Sequence, residues 1–161
     1  MKVNIYRSVL GRDGYVSVVA DGKVVCDGRK QFANADTIID VCRKSLGMDG
    51  FAEEHVYAFA LNNKLHLMGA FALSSGSVAL SVIPIRETFQ KLLALNAVTF
   101  VLVHNHPSGD PTPSDYDDEV TKRMIECGKL LGITLTDHIV LGNYGAHFSY
   151  REERRELWES E

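Results

Sequence analysis

The sequence has few of the features that mark secreted, disulfide-bonded or membrane-spanning proteins. Only three cysteines occur in 161 residues, at Cys26, Cys42 and Cys127, and they form no CxxC pair. An odd number of scattered cysteines favours a reduced, intracellular compartment. No apolar run approaches the roughly 18 residues of a membrane span, and residues 1–7 lack the apolar core of a signal peptide. We therefore expect a soluble, cytoplasmic protein.

An excess of positive charge is also missing. The net charge is −4 and the isoelectric point lies near 5.9, which gives no electrostatic reason to expect nucleic-acid binding. One local basic patch joins Arg151, Arg154 and Arg155, but three glutamates are interleaved with it. This charged tail is therefore predicted to be a solvated helix face.

The sequence does contain an alternation of strand and helix patterns over a length suited to one domain. Residues 1–33 show short strands and turns, with a hairpin centred on Ala20-Asp21-Gly22. Further strands are predicted at 56–61, 65–73, 78–83, 98–106, 133–141 and 146–150, and helices at 34–46, 84–96 and 114–131. This order predicts an α/β (α+β) domain with a mixed β-sheet flanked by helices.

The first predicted helix has clear limits. Asn34 or Asp36 is its expected N-cap and Gly47 its expected stop. Cys42 recurs at helical spacing with apolar residues, so it is expected in the core.

Two expectations concern the segments before the central strand. Residues 74–77 are expected to break the strand that precedes them. Along the second helix, Phe89, Leu92 and Leu93 are expected to point inward.

Two histidines at the end of an apolar strand form a candidate metal site. His104 and His106 lie at i and i+2, so both imidazoles point to one face, about 6.6 Å apart along the strand. The following loop holds three of the four prolines, and Asp117 lies at the head of the next helix, where it can supply a third ligand. Three protein ligands with one open position are typical of a catalytic zinc site.

Ser114 has two interpretations. Ser-x-x-Asp is a variant of the helix capping box, in which Ser114 accepts from the amide of Asp117. A hydroxyl has two acceptor sites and one donor, so Ser114 can cap the helix and still donate to a substrate oxygen. The positive end of the helix dipole also favours the ionised form of Asp117, which a metal ligand requires.

Other metal-binding patterns are absent. The zinc β-lactamase pattern His-x-His-x-Asp-His would need Asp and His where this chain has Ser108 and Gly109. Zinc nucleobase deaminases need His-x-Glu with Pro-Cys-x-x-Cys, and another zinc class needs His-Glu-x-x-His; the chain contains none of these.

The complete spacing, His-x-His, seven residues, Ser, two residues and Asp, resembles the JAMM metalloprotease motif of JAB/MPN domains without a gap. The wording His-Asn-His-Pro-Ser-Gly-Asp-Pro at 104–111 is similar to the bacterial RadC-like branch. Further likeness occurs at 84–87, 95–97, 128–133 and 137–142. The resemblance therefore runs from about residue 34 to 150.

This resemblance implies a JAB/MPN sheet of the cytidine-deaminase-like type for residues 34–150. Residues 1–33 then form a strand-and-turn extension of the same domain, and residues 151–161 a charged tail. Residues 1–33 do not resemble the helix-hairpin-helix region of full-length RadC proteins. The chain is thus expected to be the short, stand-alone form, without that DNA-binding element.

The resemblance also implies hydrolysis of a peptide or isopeptide bond by a metal-activated water. One Zn²⁺ per chain would be bound by His104, His106 and Asp117. Ser114 would donate a hydrogen bond to the oxyanion that forms during the reaction.

The JAMM motif further implies a glutamate at the start of an upstream strand, acting as the general base. Glu54 is the expected residue, and Glu53 and Glu87 are its rivals. His138 or its neighbour Asp137 can approach the site as a partner of a metal ligand, and a structural role is the alternative.

Two other functions stay open at this point. The RadC family is named for DNA repair, so a DNA-repair-associated factor is one alternative; a non-catalytic MPN binding module is the other. The acidic composition argues against the first, and the intact ligand set against the second. The expected partner is a peptide or protein substrate, with no membrane and with homo-oligomers possible.

Overall fold

The chain is organised around a mixed sheet with helices on both faces. The computed structural model describes residues 2–25, 31–32, 34–76 and 83–159. In these ranges the strands are β1 (Lys2–Leu10), β2 (Val16–Val25), β3 (Glu54–Leu61), β4 (Leu67–Gly76), β5 (Thr99–Asn105), β6 (Thr134–Leu141) and β7 (His147–Ser149). The helices are α1 (Ala35–Asp40), continued by a π-helical segment (Val41–Ser45) and a 3-10 turn (Met48–Gly50), α2 (Ile85–Ala94), α3 (Asp115–Leu131), α4 (Tyr150–Glu153) and α5 (Glu156–Glu159). No helix in the described ranges is long and apolar enough to cross a membrane.

The topology brings three element ends together. The strand order is β2-β1-β4-β3-β5-β6-β7. β5 and β6 are parallel and joined through α3, whereas β3 runs antiparallel to β5. The carboxyl end of β5, the N-terminus of α3 and the start of β3 therefore meet at one edge of the sheet, where ligand sites of open α/β sheets commonly form.

β5 separates two hydrophobic cores because its alternate side chains point to opposite faces. Val101 and Val103 belong to the core beneath α1, and Phe100 and Leu102 to the core beneath α2 and α3. His104 continues the second series and is completely buried. The alternation of side chains along β5 thus places the His104 imidazole at the end of the core beneath α2 and α3.

The predicted hairpin turn at Ala20-Asp21-Gly22 is wrong. These residues lie within β2, which pairs along the whole of β1, and the turn lies between the two strands instead. The pairing passes from Ile5 opposite Gly22 to Tyr6 opposite Ala20, which leaves Asp21 as a bulge. The sequence pattern was ambiguous because an Asp-Gly pair suits a β-bulge as well as a turn.

The predicted break at residues 74–77 is also wrong for the part that the structure describes. β4 continues to Gly76, which is opposite Glu54 at the start of β3. Pairing with β3 outweighs the weak strand propensity of these serines and glycine. Cys26, Ser77 and the strand predicted at 78–82 lie outside the described residues.

The limits of α1 agree with the prediction. The Asn34 side chain caps the helix by accepting from the Thr37 N–H at 3.2 Å. Gly47 follows the helical segment with a left-handed φ of 69°. Cys42 is completely buried in the α1-side core, as expected.

The inward face of α2 is narrower than predicted. Phe89 and Leu92 are buried against the sheet, whereas 54% of Leu93 is exposed. Successive side chains of a helix differ by about 100° in direction. Leu92 and Leu93 therefore cannot both pack against the sheet along the narrow face that α2 buries.

The charged tail folds back onto the domain. The Trp158 indole N–H donates to the Leu135 carbonyl at 2.6 Å. Arg154 forms an ion pair with Asp118 of α3, whereas Arg155 faces solvent as predicted. The prediction of a solvated helix face is therefore correct for Arg155 but not for Arg154 and Trp158, which contact the domain.

Replacing Leu92 with alanine is expected to lower the free energy of unfolding by about 2–5 kcal/mol, because it opens a cavity between α2 and the sheet. The matched control is Leu93→Ala, which removes the same atoms from an exposed position and should change stability by less than about 0.5 kcal/mol. Urea unfolding monitored by circular dichroism measures both. Equal losses would contradict this orientation of α2.

Candidate metal centre

Three potential metal ligands meet at the carboxyl end of β5. His104 is the last residue but one of the strand, His106 follows it, and Asp117 lies in the first turn of α3. The two Nε2 atoms are 3.0 Å apart, His104 Nε2 lies 3.3 Å from Asp117 Oδ1, and His106 Nε2 lies 3.6 Å from Asp117 Oδ2. The three side chains form a group that can hold a metal ion.

These separations suit a small tetrahedral ion. Zinc binds imidazole nitrogen and carboxylate oxygen at about 2.0–2.2 Å, which places two tetrahedral ligand atoms about 3.4 Å apart. The separation of the two Nε2 atoms, 3.0 Å, and that of His104 Nε2 from Asp117 Oδ1, 3.3 Å, lie just below that value.

A chain of hydrogen bonds assigns the tautomer of His104. The Thr121 hydroxyl lies 2.6 Å from the Asp117 carbonyl oxygen, which can only accept, so the hydroxyl donates there. His138 Nδ1 lies 2.6 Å from the same hydroxyl oxygen and must therefore carry the proton. The His138 Nε2 atom then accepts from His104 Nδ1–H at 2.9 Å. His104 Nε2 is left with a lone pair that faces Asp117.

His106 has the same tautomer for a simpler reason. Its Nδ1 atom lies 2.8 Å from the Asp110 carbonyl oxygen and must donate to it. Its Nε2 atom therefore also presents a lone pair. The loop carbonyl at Asp110 and the buried ring of His138 thus play equivalent parts for the two ligands.

In these tautomers two imidazole lone pairs and one carboxylate face one another, so a cation is needed between them, either a metal ion or a proton bound to an imidazole nitrogen. Burial raises the pKa of Asp117, but hydrogen bonds with His104, His106 and then Ser114 lower it by more, so the carboxyl is ionised. The hydrogen bond with Asp117 raises the pKa of His106, although burial opposes this shift. Acceptors that converge in this way attract a cation, and their chemistry is that of a zinc ligand set.

The N-terminus of α3 selects which carboxylate oxygen is available. The Ser114 N–H and hydroxyl both donate to Asp117 Oδ2, at 2.8 and 2.7 Å, and the Asp117 N–H donates to the Ser114 hydroxyl at 3.2 Å. This capping box is present as predicted. Because Oδ2 has two donors, Oδ1 is the oxygen free to bind a metal.

Glu54 lies beside this group. It is the first residue of β3, and Val56 is opposite His104 in the β3–β5 ladder, so Glu54 begins two residues further towards His106. Burial raises the pKa of the Glu54 carboxyl, with smaller opposing effects of His104 and His106 and a further rise from Asp117. The rival Glu87 forms an ion pair with Arg86 on α2.

The loop between the ligands packs against the turn after β6. The His106 N–H donates to the Leu141 carbonyl, and the Asn143 N–H donates to the Gly109 carbonyl. A Cβ atom at Gly142 would lie 2.4 Å from the Gly109 oxygen, so any larger residue would push the loop away. The two hydrogen bonds hold the loop that carries His106 in place, and they require the close approach that a glycine at position 142 permits.

His138, and not Asp137, approaches the metal group. Asp137 faces the opposite side of β6, where it accepts from the Ser149 hydroxyl and where burial raises its pKa to about 6. The His138 ring is completely buried, and burial lowers its pKa well below the usual range. Tyr150 stacks on it with the centroids 5.0 Å apart and the planes inclined by 7°. His138 is thus a neutral, immobile partner for His104.

Two polar residues that organise the site, Thr121 and Asn105, are absent from the sequence predictions. Thr121 lies four residues after Asp117, on the same face of a helix, so a helical projection would have placed it there. Asn105 lies between the two histidine ligands, and a polar residue at a central strand position needs buried partners. The partners that sequence spacing does not reveal come from other elements: His138 of β6 for Thr121, and the backbone of residues 53 and 55 for Asn105.

Comparison with known proteins agrees with this geometry. Residues 32–155 match the family model described as RadC-like JAB domain. The chain belongs to the RadC-like JAB domain family. The predicted family is thereby confirmed, and the mixed sheet flanked by helices is consistent with the predicted JAB/MPN fold.

Several relatives of this RadC-like domain are bacterial. The UPF0758 protein of Enterococcus faecalis is 42% identical over 106 residues, which are 66% of this chain and 45% of that protein. The UPF0758 protein YsxA of Bacillus subtilis is 45% identical over 91 residues, 56% of this chain and 39% of the relative. A UPF0758 protein of Clostridium acetobutylicum is 42% identical over 103 residues, 64% of this chain and 44% of its own length. The matched region therefore spans less than half of each relative.

Replacing His104 with alanine is expected to abolish tight zinc binding, because one of three convergent ligands is lost. The wild-type domain should bind one Zn²⁺ per chain in competition with a chromogenic chelator. His147→Ala is the control, since His147 is exposed on β7 and lies outside the ligand group. Retention of wild-type affinity by His104→Ala would contradict the assignment.

Replacing His138 with phenylalanine is expected to weaken zinc binding by about 10–100-fold, the usual effect of removing a partner that orients a ligand imidazole. Phenylalanine retains the stacking surface for Tyr150 but cannot accept from His104. His147→Phe adds the same ring at an exposed site and should leave the affinity unchanged. The same chelator competition measures both variants, and equal affinities would show that His138 does not orient His104.

Proposed function

We propose that this RadC-like domain is a zinc-dependent hydrolase that cleaves a peptide or isopeptide bond. The observation that carries the proposal is the convergence of two neutral imidazole lone pairs and one carboxylate oxygen, with the Glu54 carboxyl beside them. A structural zinc site has four protein ligands, whereas three leave a position open for reaction.

The ligand set would be His104 Nε2, His106 Nε2 and Asp117 Oδ1. Zinc in such a site polarises a carbonyl group and lowers the pKa of a water molecule to about 7. His106 is partly exposed while the other two ligands are buried. The approach for a substrate is therefore from the His106 side.

Glu54 would act as general base and then as general acid. A partly buried carboxyl with a raised pKa is better matched to proton transfer near neutral pH than an exposed one. It would take a proton from the attacking water and deliver it to the leaving amine. The amine would otherwise leave as an unstable anion.

Ser114 would stabilise the negative charge that develops on the carbonyl oxygen. Its hydroxyl donates to Asp117 Oδ2, while its backbone N–H donates to the same atom. The N–H bond can hold the carboxylate when the hydroxyl turns towards substrate. The helix cap and the proposed catalytic role are therefore compatible.

The two other functions considered from the sequence make different predictions. A non-catalytic binding module would hold zinc without turnover, and a DNA-associated factor would show salt-dependent DNA binding. The net charge of −4 does not favour the latter. A peptide or protein substrate remains the proposed partner.

Replacing Glu54 with glutamine is expected to remove turnover of a quenched-fluorescence peptide library and of an isopeptide-linked lysine probe, while zinc affinity is kept. The amide has nearly the same shape but cannot accept the proton. Glu53→Gln is the matched control and should retain activity. Wild-type protein that binds zinc but cleaves neither probe would contradict the proposal, as would full activity of Glu54→Gln.

Replacing Ser114 with alanine is expected to lower kcat by about 10²–10³, the typical effect of losing one oxyanion donor. The loss of the helix cap also costs about 0.5–2 kcal/mol of stability. Asn34→Ala removes the cap of α1 and controls for this cost. If both variants lose the same small fraction of kcat, Ser114 serves only as a cap.

A further inference from the structure

Asn105 lies between the two histidine ligands, but its side chain points away from them. Alternate residues of a strand face opposite sides, so His104 and His106 face α3 while Asn105 faces the other way. Asn105 is buried, with 5% of its surface exposed. Both ends of its side-chain amide are nevertheless used by hydrogen bonds.

The two bonds are made to the backbone on either side of Glu54. Asn105 Oδ1 accepts from the His55 N–H at 2.9 Å, and Asn105 Nδ2 donates to the Glu53 carbonyl at 3.0 Å. The partners settle the orientation of the amide, since a carbonyl only accepts and a backbone N–H only donates. The two peptide groups that flank the Glu54 Cα atom are therefore held by one planar group.

Backbone pairing between β3 and β5 does not replace this contact. The described β3–β5 ladder ends with Val56 opposite His104. Glu54 lies beyond that pair: on its other side it pairs with Gly76 of β4, and on the β5 side the peptide groups that flank it are bonded to the Asn105 amide. Holding both flanking peptide planes restricts the φ and ψ angles of Glu54, and hence the direction of its Cα–Cβ bond.

We propose that Asn105 is a positioning residue that holds the Glu54 carboxyl in register with the His104–His106 ligand pair. The expected effect on kcat rests on the proposed hydrolase function, whereas the expected effect on the position of Glu54 does not. Asn105 is covalently joined to both histidines. One short segment of β5 therefore positions the metal ligands through its backbone and the base, which lies on the neighbouring strand β3, through the Asn105 side chain. A displacement of about 1 Å in such a group can cost about 100-fold in rate.

Only an amide of this length meets both requirements. Aspartate would keep an acceptor for His55 but would place a second oxygen against the Glu53 carbonyl. Leucine or alanine would leave the N–H and the carbonyl without their partner, and an unpaired buried polar group is costly. A merely structural role would therefore also predict lost stability, so the test needs further readouts.

The experiment uses the zinc-loaded chain with Asn105→Ala, Asn105→Asp and the stability control Leu92→Ala. For Asn105→Ala we expect zinc affinity within threefold of wild type, hydrogen exchange of the His55 amide at least tenfold faster, and kcat on the peptide library at least tenfold lower with KM changed less than threefold. Asn105→Asp should retain slow exchange at His55 yet still lose kcat. Leu92→Ala should keep the wild-type kcat. Exchange of its His55 amide should become faster by no more than its loss of global stability accounts for.

Three results would overturn the proposal. They are unchanged exchange at His55 in Asn105→Ala, a kcat that does not fall, and a loss of zinc affinity that parallels the loss of kcat. A crystal structure of zinc-loaded Asn105→Ala gives a readout that does not require activity. We expect the Glu54 carboxyl to move by more than about 1 Å, and an unmoved carboxyl would refute the proposal even if the hydrolase function itself had failed.

Discussion

The hydrogen bond from His104 Nδ1–H to His138 is the constraint on which the site depends. It exists because β6 lies parallel beside β5 and because α3, which connects them, brings Thr121 over the same ring. The direction of each bond follows from the Asp117 carbonyl at its end, which can only accept. One chain of donors therefore ties two strands and a helix together and leaves an imidazole lone pair where a cation can bind.

The same strand serves the site on its other face. Asn105 joins the start of β3 to the end of β5, where regular pairing has stopped. Ligands and base are thus carried by rigid elements and supported by buried hydrogen bonds, which is the arrangement that a precise reaction geometry needs. The loop after His106 is held by the turn that follows β6, so the more exposed ligand is also fixed.

The sequence was most informative where the physical cause is local. The direction of His104 and His106 follows from the strand period, and the Ser114–Asp117 cap follows from helix geometry. Glu54 was expected from the family resemblance and could not be obtained from spacing. The structure corrected features that depend on strand pairing, such as the bulge at Asp21, and it supplied the partners of Asn105, which are about fifty residues away. Long-range pairing has no short-range signature.

The most direct test of the account is the tautomeric state of the histidines, measured by ¹⁵N NMR of the imidazole nitrogens with and without zinc. The account predicts an Nδ1–H proton on His104, His106 and His138, and a zinc-induced shift at Nε2 of His104 and His106 only. An Nε2–H proton on His104 or His138 in the zinc-loaded protein would contradict it. Zinc that shifts neither Nε2 atom would contradict it equally.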